Sequence, residues 1–173
     1  MTPVLSVRDL KVEFPTRRGT LTAINDISFD IAPGEVLGVV GESGAGKSIT
    51  GTAVIGLIEP PGRIAGGQVL LKGQRIDNLP AEAMRKIRGK RIGMVFQDPL
   101  TSMNPLYRIG EQLVETITTH LNMSGAQARR HALDLLAEVG IPAPETRIDN
   151  YPHQFSGGMR QRVVLALALA AEP

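Results

Sequence analysis

The sequence predicts an α/β fold with an antiparallel β portion near the N-terminus and a helical subdomain over roughly residues 100–160. Three observations support this prediction. The apolar run VLGVV at 36–40 is followed by a glycine-rich turn and then by a segment with helical spacing of apolar residues. Alternating apolar and polar residues at 27–31 are typical of a half-buried strand. Apolar residues at helical spacing between 111 and 139 indicate two amphipathic helices.

Strand patterns dominate the first half of the chain. The run at 36–40 is nearly continuous and partly β-branched, which is expected of a parallel strand covered on both faces. The helix after it ends where Glu59, Pro60, Pro61 and Gly62 interrupt the pattern. In chain order, the predicted elements are a strand at 4–14, a strand at 27–31, a strand at 36–40, a helix at 48–58, and a strand with a tight turn at 68–76.

The second half is mostly helical. A buried strand at 91–97 is closed by Asp98 and Pro99, and Ser124 is a predicted cap for a helix that Gly140 ends. The other predicted elements are a short helix at 81–87, an irregular segment at 99–109, a helix at 111–121, a proline-rich loop at 141–154 and a helix at 157–171.

Composition excludes several classes of protein. With 42% hydrophobic residues, the chain is typical of a globular protein. It has 19 Lys and Arg against 17 Asp and Glu, and the resulting formal charge of +2 is too small to indicate a partner. The absence of Cys excludes disulfides and thiolate metal sites. The longest apolar run, 163–171, is less than half of what a bilayer-spanning helix needs, and the first residues do not resemble a secretory leader. We therefore expect any membrane role to come through a partner.

The strongest motif is GESGAGKS at 41–48, which has the spacing G-x-x-x-x-G-K-[ST]. Its glycines let successive backbone N–H groups point at phosphate oxygens, and the following helix adds its positive N-terminal end. Lys47 would reach the β and γ phosphates, and Ser48 would offer its hydroxyl to Mg²⁺. A plain glycine-rich connection is the simpler interpretation, but the position between a buried strand and a helix favours a phosphate site.

Two weaker signals follow. In FSGGMRQR at 155–162, Ser156 is a possible ordinary N-cap, yet two glycines at a helix start are costly unless the backbone approaches something closely. An anion at the helix N-terminus is such a partner. Gln97 ends the predicted strand at 91–97 and would be unremarkable alone.

Together GESGAGKS, VFQDPLTSMNP and YPHQFSGGMRQR resemble the motifs of the nucleotide-binding subunit of ABC transporters, in particular the oligopeptide/dipeptide importer branch. The resemblance covers nearly the whole chain. It implies a P-loop NTPase fold of the ABC type, one nucleotide-binding domain over 1–173, and an ATPase that uses ATP and Mg²⁺ to energise import of peptides or related small solutes.

The resemblance also implies roles for individual residues. Lys47 and Gln97 would be catalytic, Ser48 and Gln97 would contact Mg²⁺, and Phe14 would stack on adenine unless it is a core residue. The signature motif at 156–158 would bind the γ-phosphate held by an opposite subunit. The implied ATP-binding residues are Phe14, Gly41, Glu42, Ser43, Gly44, Ala45, Gly46, Lys47, Ser48, Ile49, Gln97, Ser156, Gly157 and Gly158.

The implied partners are membrane-spanning permease subunits, a second ATP-binding subunit and, indirectly, an extracytoplasmic solute-binding protein. Residues 98–107 would touch the permease, which implies a peripheral location on the cytoplasmic face of the membrane. Two positions depart from the commonest signature, since Phe155 replaces Leu and Met159 replaces Gln. The Met variant fits the peptide-importer branch.

In the family, the helix after the signature leads into the Walker B strand, the catalytic glutamate and a switch histidine, and this sequence stops before them. None of His120, His131 and His153 follows such a strand. We therefore expect a domain truncated before the Walker B strand that is inactive alone. A non-hydrolysing nucleotide-binding fragment and a P-loop ATPase of another class remain alternatives, although FSGGMRQR argues against kinases.

A nucleic-acid binder is another alternative, because MRKIRGKR at 84–91 carries five cations and no acid. Only Phe96 and Tyr107 offer stacking surface nearby. The cluster therefore indicates a solvated helix face, and we expect no nucleic-acid partner.

Overall fold

The computed structural model describes residues 2–99 and 101–173. The chain divides into two compact units, Met1–Met84 and Arg85–Pro173. The first unit is built around a β-sheet and the second around helices, as the sequence predicts. The single domain over 1–173 and the subdomain bounds of 100–160 stay predictions.

The first unit contains a four-stranded antiparallel sheet in the order β2-β1-β3-β4. The strands are β1 (Leu5–Thr16), β2 (Gly19–Ile31), β3 (Arg63–Leu71) and β4 (Gln74–Arg75). Val7, Leu10 and Val12 of β1 are fully buried and form the core with Val69 of β3. The strands predicted at 4–14 and 68–76 are confirmed, and the one predicted at 27–31 is the end of a longer strand.

Helix α1 (Lys47–Val54) follows the glycine-rich loop and is shorter than the predicted helix at 48–58. The reason is Gly56, whose φ of +65° lies in the left-handed region and whose N–H bonds to the carbonyl of Ala53 at 3.0 Å. This is a helix C-terminus of the kind that glycine favours.

The predictions of strands at 36–40 and 91–97, both of which lie within the described residues, are wrong. Neither segment has regular strand structure, and Val36 and Val40 are 95% and 94% exposed. A strand forms only when a neighbour takes its backbone hydrogen bonds, and the described residues supply none to 36–40. In the second segment, Ile92 forms one isolated parallel bridge with Arg88.

The second unit is helical. After α2 (Ala81–Ile87), whose last three residues begin this unit, come α3 (Ile109–His120), α4 (Gly125–Glu138), α5 (Pro144–Arg147), a 3-10 helix (Pro152–Gln154) and α6 (Gly157–Leu169). The helices predicted near 81–87, 111–121, 124–140 and 157–171 are confirmed. The two short helices inside 141–154 were predicted as loop.

One apolar core joins the longer helices of this unit. Leu113 and Ile117 of α3, Leu136 of α4 and Val163 of α6 are fully buried in it. Ile148, also fully buried, closes the core against α3. None of the described helices is both long and apolar enough to cross a bilayer.

Candidate functional site

The loop from Gly41 to Ser48 curls around the side chain of Lys47. The Lys47 ammonium group donates hydrogen bonds to the carbonyl oxygens of Gly41, at 2.7 Å, and Glu42, at 2.6 Å. The loop also closes on itself, since the Ala45 N–H bonds to the Glu42 carbonyl at 3.2 Å. The positive charge therefore lies within the curve of the loop.

Two glycines shape this loop. Gly44 and Gly46 have φ of +84° and +88°, a conformation that residues with side chains rarely adopt. Gly46 is also buried against β2, where a methyl group in its place would come 3.1 Å from the Ala23 carbonyl oxygen and 3.4 Å from Ile24. The close packing fixes where α1 begins.

The start of α1 offers unpaired backbone donors. Gly46 is the N-cap and has no side chain with which to bond the first N–H groups of the helix, which lack intrahelical partners in any helix. Ser48 is exposed in this first turn, and Ile49 is half-buried behind it. This loop thus contains the positive end of the α1 dipole, unpaired backbone donors and the charge of Lys47. Such a combination is typical of a phosphate site.

Phe14 lies on β1, opposite Leu21 of β2. Leu21 is two residues from Ala23, against which Gly46 packs, so the sheet brings the aromatic ring and the loop to the same end of the first unit. The Phe14 ring also contacts Gly62, where a methyl group would overlap it. The ring is half-buried and keeps exposed surface.

Glu13, next to Phe14, fixes this end of β1. Its carboxylate pairs with Lys11 at 2.7 Å and with Arg63 of β3 at 3.5 Å. The hydrogen bond from Lys11, with the further attraction of Arg63, holds the pKa of Glu13 below its ordinary value.

In the second unit, the signature segment begins α6. Phe155 is 2% exposed and anchors the segment in the core, and Ser156 caps the helix by accepting a hydrogen bond from the Met159 N–H at 3.4 Å. Arg160 ties the helix to the preceding 3-10 turn, since its Nε donates to the Pro152 carbonyl at 3.0 Å. The N-terminus of α6 is therefore held rigidly.

Gly157 and Gly158 are exposed, and a methyl group at either would touch nothing within 4 Å. Neither has a positive φ. Internal packing and backbone conformation therefore leave these glycines unexplained, whereas a partner that approaches the helix start closely would require them.

Gln97 is exposed and ends the irregular segment at 91–97. Within the predicted contact segment 98–107, the turns about Asn104 and Tyr107 are held by Gln112, whose amide nitrogen donates to the carbonyls of Asn104, at 2.9 Å, and Tyr107, at 3.0 Å. Leu106 is 81% exposed at the tip. Leu100, part of this predicted contact segment, lies outside the described residues.

The structure thus brings the predicted loop residues together with Phe14 in the first unit. Gln97 and the signature residues belong to the second unit. Sequence reasoning missed two supporting residues, Ile24 behind Gly46 and Arg160 beneath Ser156. Arg160 lies inside the signature motif, but the sequence offers no signal for Ile24 beyond its place in a strand.

Comparisons with known proteins agree on one family. The family model for "ABC transporter" matches residues 24–173. The oligopeptide transport ATP-binding protein OppD of Bacillus subtilis is 47% identical, over 100% of this chain and 49% of that protein. The dipeptide transport ATP-binding protein DppD of the same organism is 47% identical, over 100% of this chain and 52% of that protein.

Among solved structures, the dimeric post-hydrolysis state of the ATP-binding cassette MJ0796, bound to ADP and Pi, superposes with a TM-score of 0.87. It is 27% identical and covers 98% of this chain and 70% of that one. The present chain spans about half the length of the curated relatives it matches.

Proposed function

Because the chain belongs to the ABC transporter family, we propose that it binds ATP with Mg²⁺ as the ATP-binding part of an importer for peptides or related small solutes. The observation that carries the proposal is the loop from Gly41 to Ser48, curled around the Lys47 ammonium group at the start of α1. Peptides are the proposed solute class because OppD and DppD are described as oligopeptide and dipeptide transport proteins.

The loop binds the β and γ phosphates of ATP. Lys47 exchanges its bonds to the Gly41 and Glu42 carbonyls for bonds to phosphate oxygens, and the N–H groups that begin α1 bind the same oxygens. Phe14 contributes its exposed ring surface to the adenine at the same end of the sheet.

Mg²⁺ fits the chemistry of the donors at this site. It prefers oxygen ligands and binds nucleotide phosphates with few protein contacts, so one exposed hydroxyl from Ser48 is a sufficient first ligand. Gln97, which belongs to the second unit, stays a predicted contact of the metal. Within the described parts of the chain, no group of three or more acidic or histidine residues forms an alternative metal site.

The signature segment serves a second subunit. Ser156, Gly157 and Gly158 present the exposed N-terminus of α6, and the open space above both glycines leaves room for a phosphate held by another chain. A second ATP-binding subunit is therefore the proposed partner, and the fact that MJ0796 is a dimer supports the choice of such a partner.

The segment 98–107 is the proposed permease contact. It presents Leu106 and Tyr107, which are 81% and 53% exposed, on turns that Gln112 holds in place. Docking there would make the chain a peripheral protein at the cytoplasmic face of the membrane. A solute-binding protein would act on it only indirectly, through the permease.

A nucleotide series tests the proposal. Because the loop is assigned to the β and γ phosphates, affinity should decrease from ATP to ADP and be lost for AMP when fluorescence or calorimetric titrations are performed with Mg²⁺. Removal of Mg²⁺ with a chelator should weaken the binding of ATP more than the binding of ADP. AMP binding as tight as ATP would refute the assignment of the loop.

A further inference from the structure

An open cleft of about 490 Å³ lies in the second unit, apart from Gln97 and the signature residues. Its volume is in the range of small-molecule sites. Among the described residues that line it, three are cations and none is acidic. The lining residues are Arg85, Lys86, Arg88, Gly89, Thr119 and His120.

One wall of this basic cleft is fixed by a tight turn. Arg85 and Lys86 lie exposed in the last turn of α2, and Ile87 anchors that turn at 5% exposure. The Gly89 N–H bonds to the Ile92 carbonyl at 3.0 Å, and the Arg91 N–H to the Ile87 carbonyl at 2.8 Å. The turn therefore places a third cation, Arg88, beyond the end of the helix but on the same cleft.

The opposite wall is the end of α3. Gly89 has φ of +80°, and a methyl group there would come 2.7 Å from Nε2 of His120. Glycine thus favours the turn and leaves room for the close approach of the imidazole. With the Thr119 hydroxyl, this wall offers further hydrogen-bonding groups beside the three cations.

Compensation of the helix dipole explains only part of this arrangement. Cations in the last turn of a helix are common because they face its negative end, and this accounts for Arg85 and Lys86. It does not account for a glycine whose absent side chain opens the cleft toward His120.

We propose that this basic cleft binds a phosphate group, carried either by a soluble phosphate compound or by an anionic lipid headgroup. Guanidinium groups bind phosphate oxygens in a fork geometry, and an ammonium group adds a point charge. Arg85 supplies a guanidinium group and Lys86 an ammonium group from neighbouring positions. Single-stranded nucleic acid is a poorer fit, because the lining offers no aromatic ring for stacking other than the His120 imidazole.

The soluble source is tested with pyrophosphate in a Lys47→Ala background, which weakens the phosphate site of the loop. Calorimetry should detect binding that weakens by at least about tenfold in Arg85→Gln/Lys86→Gln, because the loss of even one of the two charge-assisted hydrogen bonds has that effect. The matched control is Arg17→Gln/Arg18→Gln, which removes two exposed cations from the turn between β1 and β2. Without the Lys47 change, the cleft variant should keep the ATP affinity of the parent.

The lipid source is tested by co-sedimentation with vesicles of phosphatidylcholine, alone or with phosphatidylglycerol. Binding that needs phosphatidylglycerol and decreases in the cleft variant, but not in the control, assigns the headgroup as ligand. Thermal melts establish that the variants are folded, and Arg85→Gln alone replaces the double variant if that one unfolds. The proposal is overturned if the cleft variant and the control bind equally well in both the pyrophosphate and the vesicle experiments. It is also overturned if the parent protein binds neither pyrophosphate nor vesicles.

Discussion

The ammonium group of Lys47 lies 2.7 Å from the carbonyl oxygen of Gly41, so the seventh residue of the GESGAGKS motif bonds to its first. This bond keeps the charge solvated by the loop's own carbonyls before any nucleotide arrives. Exchange of carbonyl for phosphate oxygens then involves little new desolvation of the ammonium group. The loop is therefore preorganised for an anion.

Lys47→Ala is expected to weaken ATP binding by about 2 to 3 kcal/mol, the contribution of a hydrogen bond to a charged group. It removes both the charge and the internal contact with Gly41. Titration of a fluorescent ATP analogue measures the loss. Lys72→Gln, which removes an exposed lysine from the turn before β4, is the control and should bind ATP as the parent does. Unchanged affinity in Lys47→Ala would mean that the phosphates bind elsewhere.

Gly158→Leu is expected to leave ATP binding to the monomer unchanged and to weaken ATP-induced dimers. The new side chain meets nothing in its own chain, but it would occupy the space assigned to the partner's γ-phosphate. Analytical ultracentrifugation with and without ATP separates the two effects. Gly125→Leu is a close control, because Gly125 also lies in the first turn of a helix with open space around it. A loss of monomer affinity would contradict the division of roles.

The sequence predicted elements whose signals are local. Ser124 caps α4 by accepting a hydrogen bond from the Gln127 N–H, and Gly140, with φ of +77°, follows its end, so both bounds of the helix could be inferred from single residues. The loop at 41–48 was recognisable for the same reason, since glycine, lysine and serine act there through their own chemistry.

Strand predictions failed where pairing decides the structure. VLGVV at 36–40 has the composition of a buried strand, yet Val36 and Val40 are almost fully exposed because the described residues form no strand beside them. Tertiary neighbours are invisible in a local pattern. The packing of Gly46 on Ile24 was unpredictable for the same reason, because it depends on how β2 lies beneath α1.

Asp77 is expected to make the stability of the first unit depend on acid pH. Burial alone raises the pKa of Asp77, but hydrogen bonds from the Arg75 side chain and the Val69 N–H hold its pKa below the ordinary value. A lowered folded-state pKa contributes stability that is complete above the unfolded pKa of about 3.9 and is lost as pH falls through the lower folded value.

Asp77→Asn should therefore reduce the unfolding free energy by about 2 kcal/mol at pH 7, and by much less at pH 2. Urea unfolding at both pH values measures the difference. Asp30→Asn is the control in the same sheet, since Asp30 pairs with Arg8 but its side chain is 44% exposed and screened by water. Equal losses for Asp77→Asn at pH 7 and pH 2 would exclude an electrostatic cause.

Gly110→Ala is expected to destabilise the second unit by about 1 to 3 kcal/mol through overpacking. A methyl group at Gly110 would come 2.6 Å from Cγ1 and 2.9 Å from the carbonyl oxygen of Ile148, and that carbonyl is fixed by the Gly110 N–H at 2.8 Å. Thermal unfolding followed by circular dichroism measures the effect. Gly125→Ala, with no atom near the new methyl group, should be neutral or slightly stabilising.

A polypeptide of residues 1–173 is expected to bind ATP but to release phosphate no faster than its own Lys47→Ala variant. Transfer to water requires an oriented, deprotonated nucleophile and a metal held in place. Lys47 and Ser48 are assigned to the phosphates and the metal, and within the described residues no group of three or more acidic or histidine side chains could hold the metal in their place.

The measurement is steady-state phosphate release at saturating ATP and Mg²⁺, with nucleotide affinity determined in parallel so that lost binding is not mistaken for lost chemistry. Gln97→Ala is a useful second variant. The Gln97 amide can orient water but is a poor base, so its removal should change an already slow rate of phosphate release little. The prediction would be contradicted if the chain released phosphate at a rate on the order of 1 s⁻¹, which is within the ordinary range of enzymes, and if the Lys47→Ala variant lost this activity. A carboxylate inside 1–173 would then have to act as the base, and Glu42, exposed in the loop itself, would be the first to replace by Gln.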